Sequence, residues 1–478
     1  MKRKQNIIIL LAILFTSNLS CKKLLEVEPP IEKIVQAKIF DSDNSAITAV
    51  LGMYELMSQT FGAGQKSVAL NTGLSSDELV SLQPQDQPLY ENQMYAMLMD
   101  ETTNWSIYNL IYNANAALEG IEASRKLSPA ITRQLTGEVR FLRALGYFYL
   151  VNEFGDVPLI TATDYTISKR LPRESIQNVY GFIEKELLAA KELISANYVA
   201  ANSISPSTAK LRANKSVISA LLARVYIYTG QYQKAIDEST SLINGSEYSL
   251  LGSENIDKVF LKESKEAIWQ LQSAISYNDT YEGFTFILNE TPGEFTNRPY
   301  YLNSSLVELF DNNDLRLKNW IGKFDDNSTI PATTYFFAYK YKVRLTEGTT
   351  PPKEDVMIFR LAEQYLIRSE AYLKLGQHSN ALSDLNAIRN RAGLDSFEST
   401  DPNIVLNVIV KERARELFLE GHRWFDLKRL GIVDKVMSIE VPRKSANLSW
   451  KSDQQLYPLP LNDIRANLNL KQNPGYSE

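Results

Sequence analysis

Ala220-Leu-Leu-Ala-Arg-Val-Tyr226-Ile-Tyr-Thr-Gly230-Gln-Tyr-Gln-Lys-Ala235 has a counterpart far downstream, where Tyr372, Gly376 and Ala381 stand at the same mutual spacing. Apolar residues ahead of each tyrosine recur at helical intervals, so each stretch predicts a helix, a turn at the glycine and a second helix. Glycine permits the tight turn, and alanine lets the two helices approach closely. The two units are widely separated, which predicts an interrupted array of helix pairs and not a tandem one. Working outward, Ile131, Leu135, Val139, Leu142, Leu145 and Tyr149 trace one apolar helix face, stopped by Gly155-Asp-Val-Pro158. The same periodicity predicts helices over 104–124, 174–195, 209–229, 231–243, 361–375, 378–392 and 403–421.

Between the two hairpins, over roughly 245–355, the character changes. Turn formers cluster at Asn244-Gly245, Asn278-Asp279, Pro292-Gly293 and Asp325-Asp326-Asn327. Short strands are predicted at Ile268–Gln272 and Tyr335–Leu345. In the second, Tyr339, Tyr341, Val343 and Leu345 alternate with Lys340, Lys342 and Arg344, the pattern of a half-buried strand with one wet face. A second irregular stretch is predicted at about 58–100. Long irregular insertions on a helical frame are where binding residues concentrate. The fold class is therefore mainly α, a tetratricopeptide-like helix-pair superhelix with loop-rich insertions containing short β-strands.

The N-terminus reads as an export signal. Lys2, Arg3 and Lys4 precede the apolar run Ile7–Phe15, and the only cysteine, Cys21, follows Leu19-Ser20. The run is about half of the ~20 residues a membrane-spanning helix needs, which favours a cleaved signal. A lone cysteine at the cut suggests lipidation at Cys21, although Asn18 occupies the place where the usual processing box carries leucine. Removal of residues 1–20 lowers the net charge from −5 to −8. A mildly acidic chain with no basic block is a poor nucleic-acid binder. With Cys21 acylated, no thiol remains for a disulfide, for catalysis or for zinc.

Catalytic chemistry is thin. His378 and His422 are the only histidines, no HExxH or Gly-x-Ser-x-Gly motif occurs, and no metal or cofactor is expected. Phe61-Gly-Ala-Gly-Gln-Lys-Ser67 fails the spacing of a phosphate loop. Asp41-x-Asp43 and Asp311-x-x-Asp314 read as caps or turns rather than calcium ligands. A facing pair of carboxylates, the requirement of a glycosidase, is not excluded by sequence.

Several blocks, taken in order, resemble the SusD/RagB family of surface nutrient-binding lipoproteins. They are Cys21-Lys-Lys-Leu-Leu-Glu26, Trp105-x-x-Tyr108-x-x-Ile111-x-x-Ala114-Asn115, and Gly137-Glu-Val-Arg-Phe-Leu-Arg-Ala144 running to Phe154-Gly-Asp-Val-Pro158. Arg360-Leu-Ala-Glu363, Leu366–Ala371, Leu385–Ala392, Glu412-Arg413, Glu416-Leu417, Glu420–Leu427 and Gln472–Tyr476 follow. The resemblance implies a non-enzymatic protein, lipid-anchored on the outer membrane and facing the cell exterior. It also implies a SusC-type TonB-dependent transporter as partner and a glycan, or in some members a peptide, as ligand. The corresponding partition is 1–20 signal peptide, 21–35 lipidated tether, 36–244 N-terminal helical region, 245–355 ligand-face insertion and 356–478 C-terminal helical region. A peptide or other nutrient, a surface glycosidase and a pure assembly scaffold remain as alternatives.

Glu138, Arg140 and Arg143, and likewise Glu412, Arg413, Glu416 and Arg423, are expected to pair within the frame. Trp105, Trp269, Trp424 and Tyr149 are expected in the core. Sugar binding calls for exposed aromatics that stack on a pyranose, with polar groups for its hydroxyls. The candidates are Tyr90 and Tyr95 in the first irregular stretch, Tyr277, Asn278 and Tyr281 in the second, then Tyr300 and Trp320, with Asp77 as a carboxylate.

Overall fold

The computed structural model describes residues 38–61, 67–98, 104–273, 279–345 and 353–477. The expected signal, Cys21 and the tether lie outside them, as do Tyr277 and Asn278. The described chain is rich in helix. The first helices are α1 (Asp43–Phe61), α2 (Val68–Ser75), α3 (Ile107–Ala123), α4 (Pro129–Phe154), α5 (Ile176–Leu193), α6 (Lys215–Tyr228) and α7 (Tyr232–Ile243). A short α8 (Tyr281–Phe286) follows, then α9 (Leu361–Lys374), α10 (His378–Arg391), α11 (Pro402–Leu417), α12 (Arg423–Arg429) and α13 (Val433–Lys444).

The two repeated units close in the same way. Gly230 and Gly376 both take positive φ, 71° and 73°. At each, the amide two residues past the helix reaches back to the tyrosine carbonyl, Gln231 N to Tyr226 O and Gln377 N to Tyr372 O, both 2.9 Å. This is a Schellman closure, which needs a left-handed residue and so favours glycine. Ala235 and Ala381 are fully buried at the crossings. The interruption is one of sequence only, because α7 packs on α9 in space. Arg368 Nη1 on α9 donates to Thr240 Oγ1 on α7 at 3.1 Å.

Four two-stranded antiparallel sheets decorate this frame: β1 (Leu79–Ser81) with β5 (Tyr300–Leu302), and β2 (Val157–Pro158) with β3 (Arg173–Glu174). The others are β4 (Ala267–Leu271) with β8 (Val356–Arg360), and β6 (Ile321–Asp326) with β7 (Thr333–Ala338). One apolar cluster runs from Phe40 to Leu470, so the insertion and both helical regions share a core.

Buried ion pairs knit the helices. Glu138 meets Arg212, and Arg140 and Arg143 both meet Glu186 on α5. A larger network centres on Glu416 of α11, which accepts from Arg316, Arg360 and Arg391. Burial alone would raise the Glu416 carboxyl, yet the guanidiniums of Arg391, Arg360 and Arg316 hold it far below the usual carboxylate range. Trp105, Trp269, Trp424 and Tyr149 are core residues, as expected.

Three local expectations need correction. The strand expected over 335–345 ends at Ala338, and Lys340 is buried instead of wet. Its Nζ donates to Glu416 O (2.9 Å), Phe418 O (2.7 Å) and Glu420 Oε1 (2.6 Å), so a network beyond the strand overrides the alternation. The stretch expected to be irregular over 58–100 contains α2, buried along its length and capped by Ser67 Oγ accepting from Leu70 N at 3.1 Å. Finally, α1 and α13 form where no helix was anticipated.

Candidate functional site

The site is built where the first irregular stretch meets the insertion. β1 and β5 align Ser81 with Tyr300 and Val80 with Tyr301. Asp86, on the turn after β1, closes the junction by accepting from Ser81 Oγ (2.9 Å) and Tyr300 Oη (2.8 Å). Burial raises the Asp86 carboxyl, and those two hydroxyls oppose the shift. Tyr301 alternates to the other face of the strand, is half-buried, and meets Tyr335 of β7 edge-on at 5.1 Å between centroids.

α8 adds a second aromatic pair. Thr280 caps it, its Oγ1 accepting from Gly283 N at 3.1 Å, and Asp279 accepts from the Lys353 and Glu354 amides. Thr280 thus fixes the start of α8, and Asp279 ties that start to the chain ahead of β8. Tyr281, at the first position of α8, is half-buried and packs against Phe284 at 6.1 Å. Asp86 and Glu282 add to burial in raising the Tyr281 phenol, against the Thr285 hydroxyl, and Tyr281 in turn acts on Tyr300. Tyr281, Tyr300 and Asp86 therefore lie within electrostatic reach of one another. Glu282, one position on, points inward and is pushed up to about 8 by burial, with Glu354 adding to the rise.

The structure brings Tyr90, Tyr281 and Tyr300 into one neighbourhood, but with different exposure. Tyr90 is buried, with Lys444 Nζ 5.0 Å from its ring, and lies within electrostatic reach of Tyr301. Tyr300 is likewise enclosed and serves as the Asp86 bracket. As platforms, both are corrected to supporting positions. Trp320 is fully buried, its Nε1 donating to Ile256 O at 2.9 Å. The Asp314–Arg316 pair ahead of it docks on α11 and carries the tryptophan inward. Asp77 is buried in a bidentate pair with Arg423 (2.7 and 2.6 Å), so its carboxylate is already engaged. Tyr95 is 50% exposed, and the adjoining turn Ala96–Leu98 packs on the helix Leu461–Ala466.

Sequence reasoning missed Phe284, Tyr335 and Asp86, and gave Tyr301 little weight. It also missed Phe295, the most exposed aromatic among the described residues at 93%. Phe295 stands just after Pro292-Gly293, a turn signal that had been read, so an aromatic beside that turn was the available clue. All five tryptophans are enclosed or, for Trp450, half-buried against Trp424. No helix among the described residues is long and apolar enough to cross a membrane.

Known proteins resemble this chain along most of its length. Residues 310–476 match the model of the SusD family, and residues 23–227 match a model described as starch-binding associating with outer membrane. SusD-like protein P25 of Formosa agariphila is 26% identical, with 97% of each chain covered. The starch-binding protein SusD of Bacteroides thetaiotaomicron is also 26% identical, with 79% of each chain covered. Among solved structures, a SusD superfamily protein of Bacteroides vulgatus superposes with TM-score 0.77 at 18% identity, over 92% of this chain and 100% of its own. A laminarin-binding SusD-like protein superposes with TM-score 0.71 at 24% identity, over 91% and 100%. With two family models spanning both helical regions, full-length relatives and the same interrupted helix-pair frame, this chain belongs to the SusD/RagB family.

Proposed function

We propose that the protein is a non-enzymatic binder of oligo- or polysaccharide, anchored through lipid on Cys21 at the outer membrane and facing the cell exterior. It hands its ligand to a SusC-type TonB-dependent transporter. The observation that carries this reading is two half-exposed ring pairs, Tyr281 with Phe284 and Tyr301 with Tyr335, carried by the loop-rich insertion. Rings of this kind offer a flat apolar surface to a pyranose, with phenol groups at the edge for hydroxyls. The starch-binding and laminarin-binding relatives support the same ligand class.

The buried ion pairs that a catalytic search would turn up first are engaged in the frame, which supports binding without chemistry. A second reading, a peptide ligand, draws on one observation: no tryptophan stands on the aromatic face. Calorimetry and affinity electrophoresis of the purified protein against glycan and peptide panels separate the two. Binding to a glycan class, lost in Tyr281→Ala or Tyr301→Ala, is the expected result. Peptide binding with silence toward every glycan sinks the first reading.

A further inference from the structure

Arg298 is the exception among the buried arginines of the described residues. Every other buried arginine among the described residues has a carboxylate oxygen within 4.0 Å. Arg298 is only 3% exposed and has no such partner among the described residues. Its Nε donates to Asn289 Oδ1 at 3.1 Å and its Nη1 to Asn297 O at 2.6 Å, both neutral acceptors. Nη2 makes no hydrogen bond to a described residue and keeps contact with solvent.

The electrostatic surroundings sharpen the contrast. Burial and then the like charge of Arg344 weaken the proton affinity of Arg298, and the exposed Glu290 opposes them. Arg224, Arg360 and Arg423 shift the other way, because a facing carboxylate outweighs burial. A guanidinium used purely as a brace looks different in this fold. Arg173 spends its three nitrogens on the Asp156, Lys471 and Phe154 carbonyls and on Asn473.

A cation enclosed with no counter-charge among the described residues is disfavoured by desolvation, and an incoming anion would offset that. Position says where that partner comes from. The Arg298 guanidinium lies 4.9 Å from the ring centroid of Phe284, which packs on Tyr281. The open valence therefore borders the aromatic face. We infer that Arg298 is a recognition residue for an anionic group, a carboxylate or a sulfate ester, carried by the glycan. This rests on the glycan-binding reading and narrows it to acidic saccharides. A planar guanidinium with a free edge suits either oxyanion.

The test uses polymers that share a backbone and differ in charge. Purified protein is titrated with polygalacturonate and its methyl-esterified form, with carrageenan against its desulfated form, and with neutral laminarin. One acidic polymer should bind roughly tenfold or more tighter than its neutral counterpart, the size expected of charge-assisted hydrogen bonds. That preference should shrink as salt rises. Arg298→Gln should erase it and Arg298→Lys should keep part of it, with melting curves to check folding. Asn289→Asp provides an independent variant: an internal counter-ion at Nε should lower the preference without removing the arginine. Equal binding of charged and neutral forms, or a preference untouched by Arg298→Gln, overturns the inference and leaves the glycan reading standing. Silence toward every saccharide overturns both.

Discussion

The charge network around Glu416 and the aromatic face around Tyr281 treat buried polarity in opposite ways. In the network, Arg316, Arg360 and Arg391 converge on one carboxylate, and Lys340 fills the neighbouring carbonyls. Every cation there has an anion of its own chain. On the aromatic face, hydroxyls and amides are used to set loops, while Arg298 has no anion among the described residues and the rings stay half open. The cations of the network find anions within the described chain, whereas Arg298 finds none among the described residues. On the reading proposed above, the difference separates charges used for the frame from a charge left for a ligand.

The largest expected effect breaks the network. Glu416→Ala leaves three buried guanidiniums short of an acceptor and should cost about 3–5 kcal/mol in denaturant unfolding. Because its folded-state carboxyl is held low, the contribution of Glu416 is present at neutral pH and fades as pH falls below the usual carboxylate range. A Glu416→Ala protein with unchanged stability would remove the distinction drawn above.

Glu282, beneath the face, has the opposite sign. Its proton is released near 4.5 in the unfolded chain but near 8 in the folded one, so stability should decline as pH rises across that interval. Glu282→Gln should flatten the decline and gain about 2 kcal/mol at pH 8, read from unfolding curves at pH 5 and pH 8. An unchanged slope would show that Glu282 reaches solvent. Tyr281→Ala should weaken glycan binding about tenfold, some 1–2 kcal/mol, with little change in unfolding midpoint. The reverse pattern, lost stability with intact binding, would make Tyr281 part of the frame. The smallest effect is the most discriminating. Arg298→Met should alter stability by less than about 1 kcal/mol, since no internal ion pair is broken. A loss as large as that of Glu416→Ala would mean that Arg298 belongs with the network.

The frame was legible because helices announce themselves through period and punctuation. Gly230 and Gly376, Ala235 and Ala381, and the Gly155 stop all do in space what their spacing implied. The buried pairs of Glu138, Arg143, Glu412 and Arg423 were also readable, since such residues on apolar helix faces have few other options. The face was less so. β1 and β5 are three residues each, too short for alternation to register, and their pairing alone brings Asp86 to Tyr300. Trp320 and Lys340 were misplaced because each is positioned by a distant partner, α11, that no local pattern reveals. Tyr281 stands half-buried at the first turn of α8, as an aromatic in that stretch was expected to be accessible, while its neighbour Thr280 is used to cap the helix.

The β1–β5 ladder and the Asp86–Tyr300 bond join positions 214 to 223 residues apart in sequence. A lineage that acquires a new insertion by recombination inherits only one side of that seam. The donor's Tyr300 and Tyr301 would then meet the recipient's 79–90 segment, with no guarantee of a matching strand or of an acid at 86. Replacement of the insertion in this architecture is therefore a matter of paired inheritance, in which two distant stretches of gene change together or drift in step.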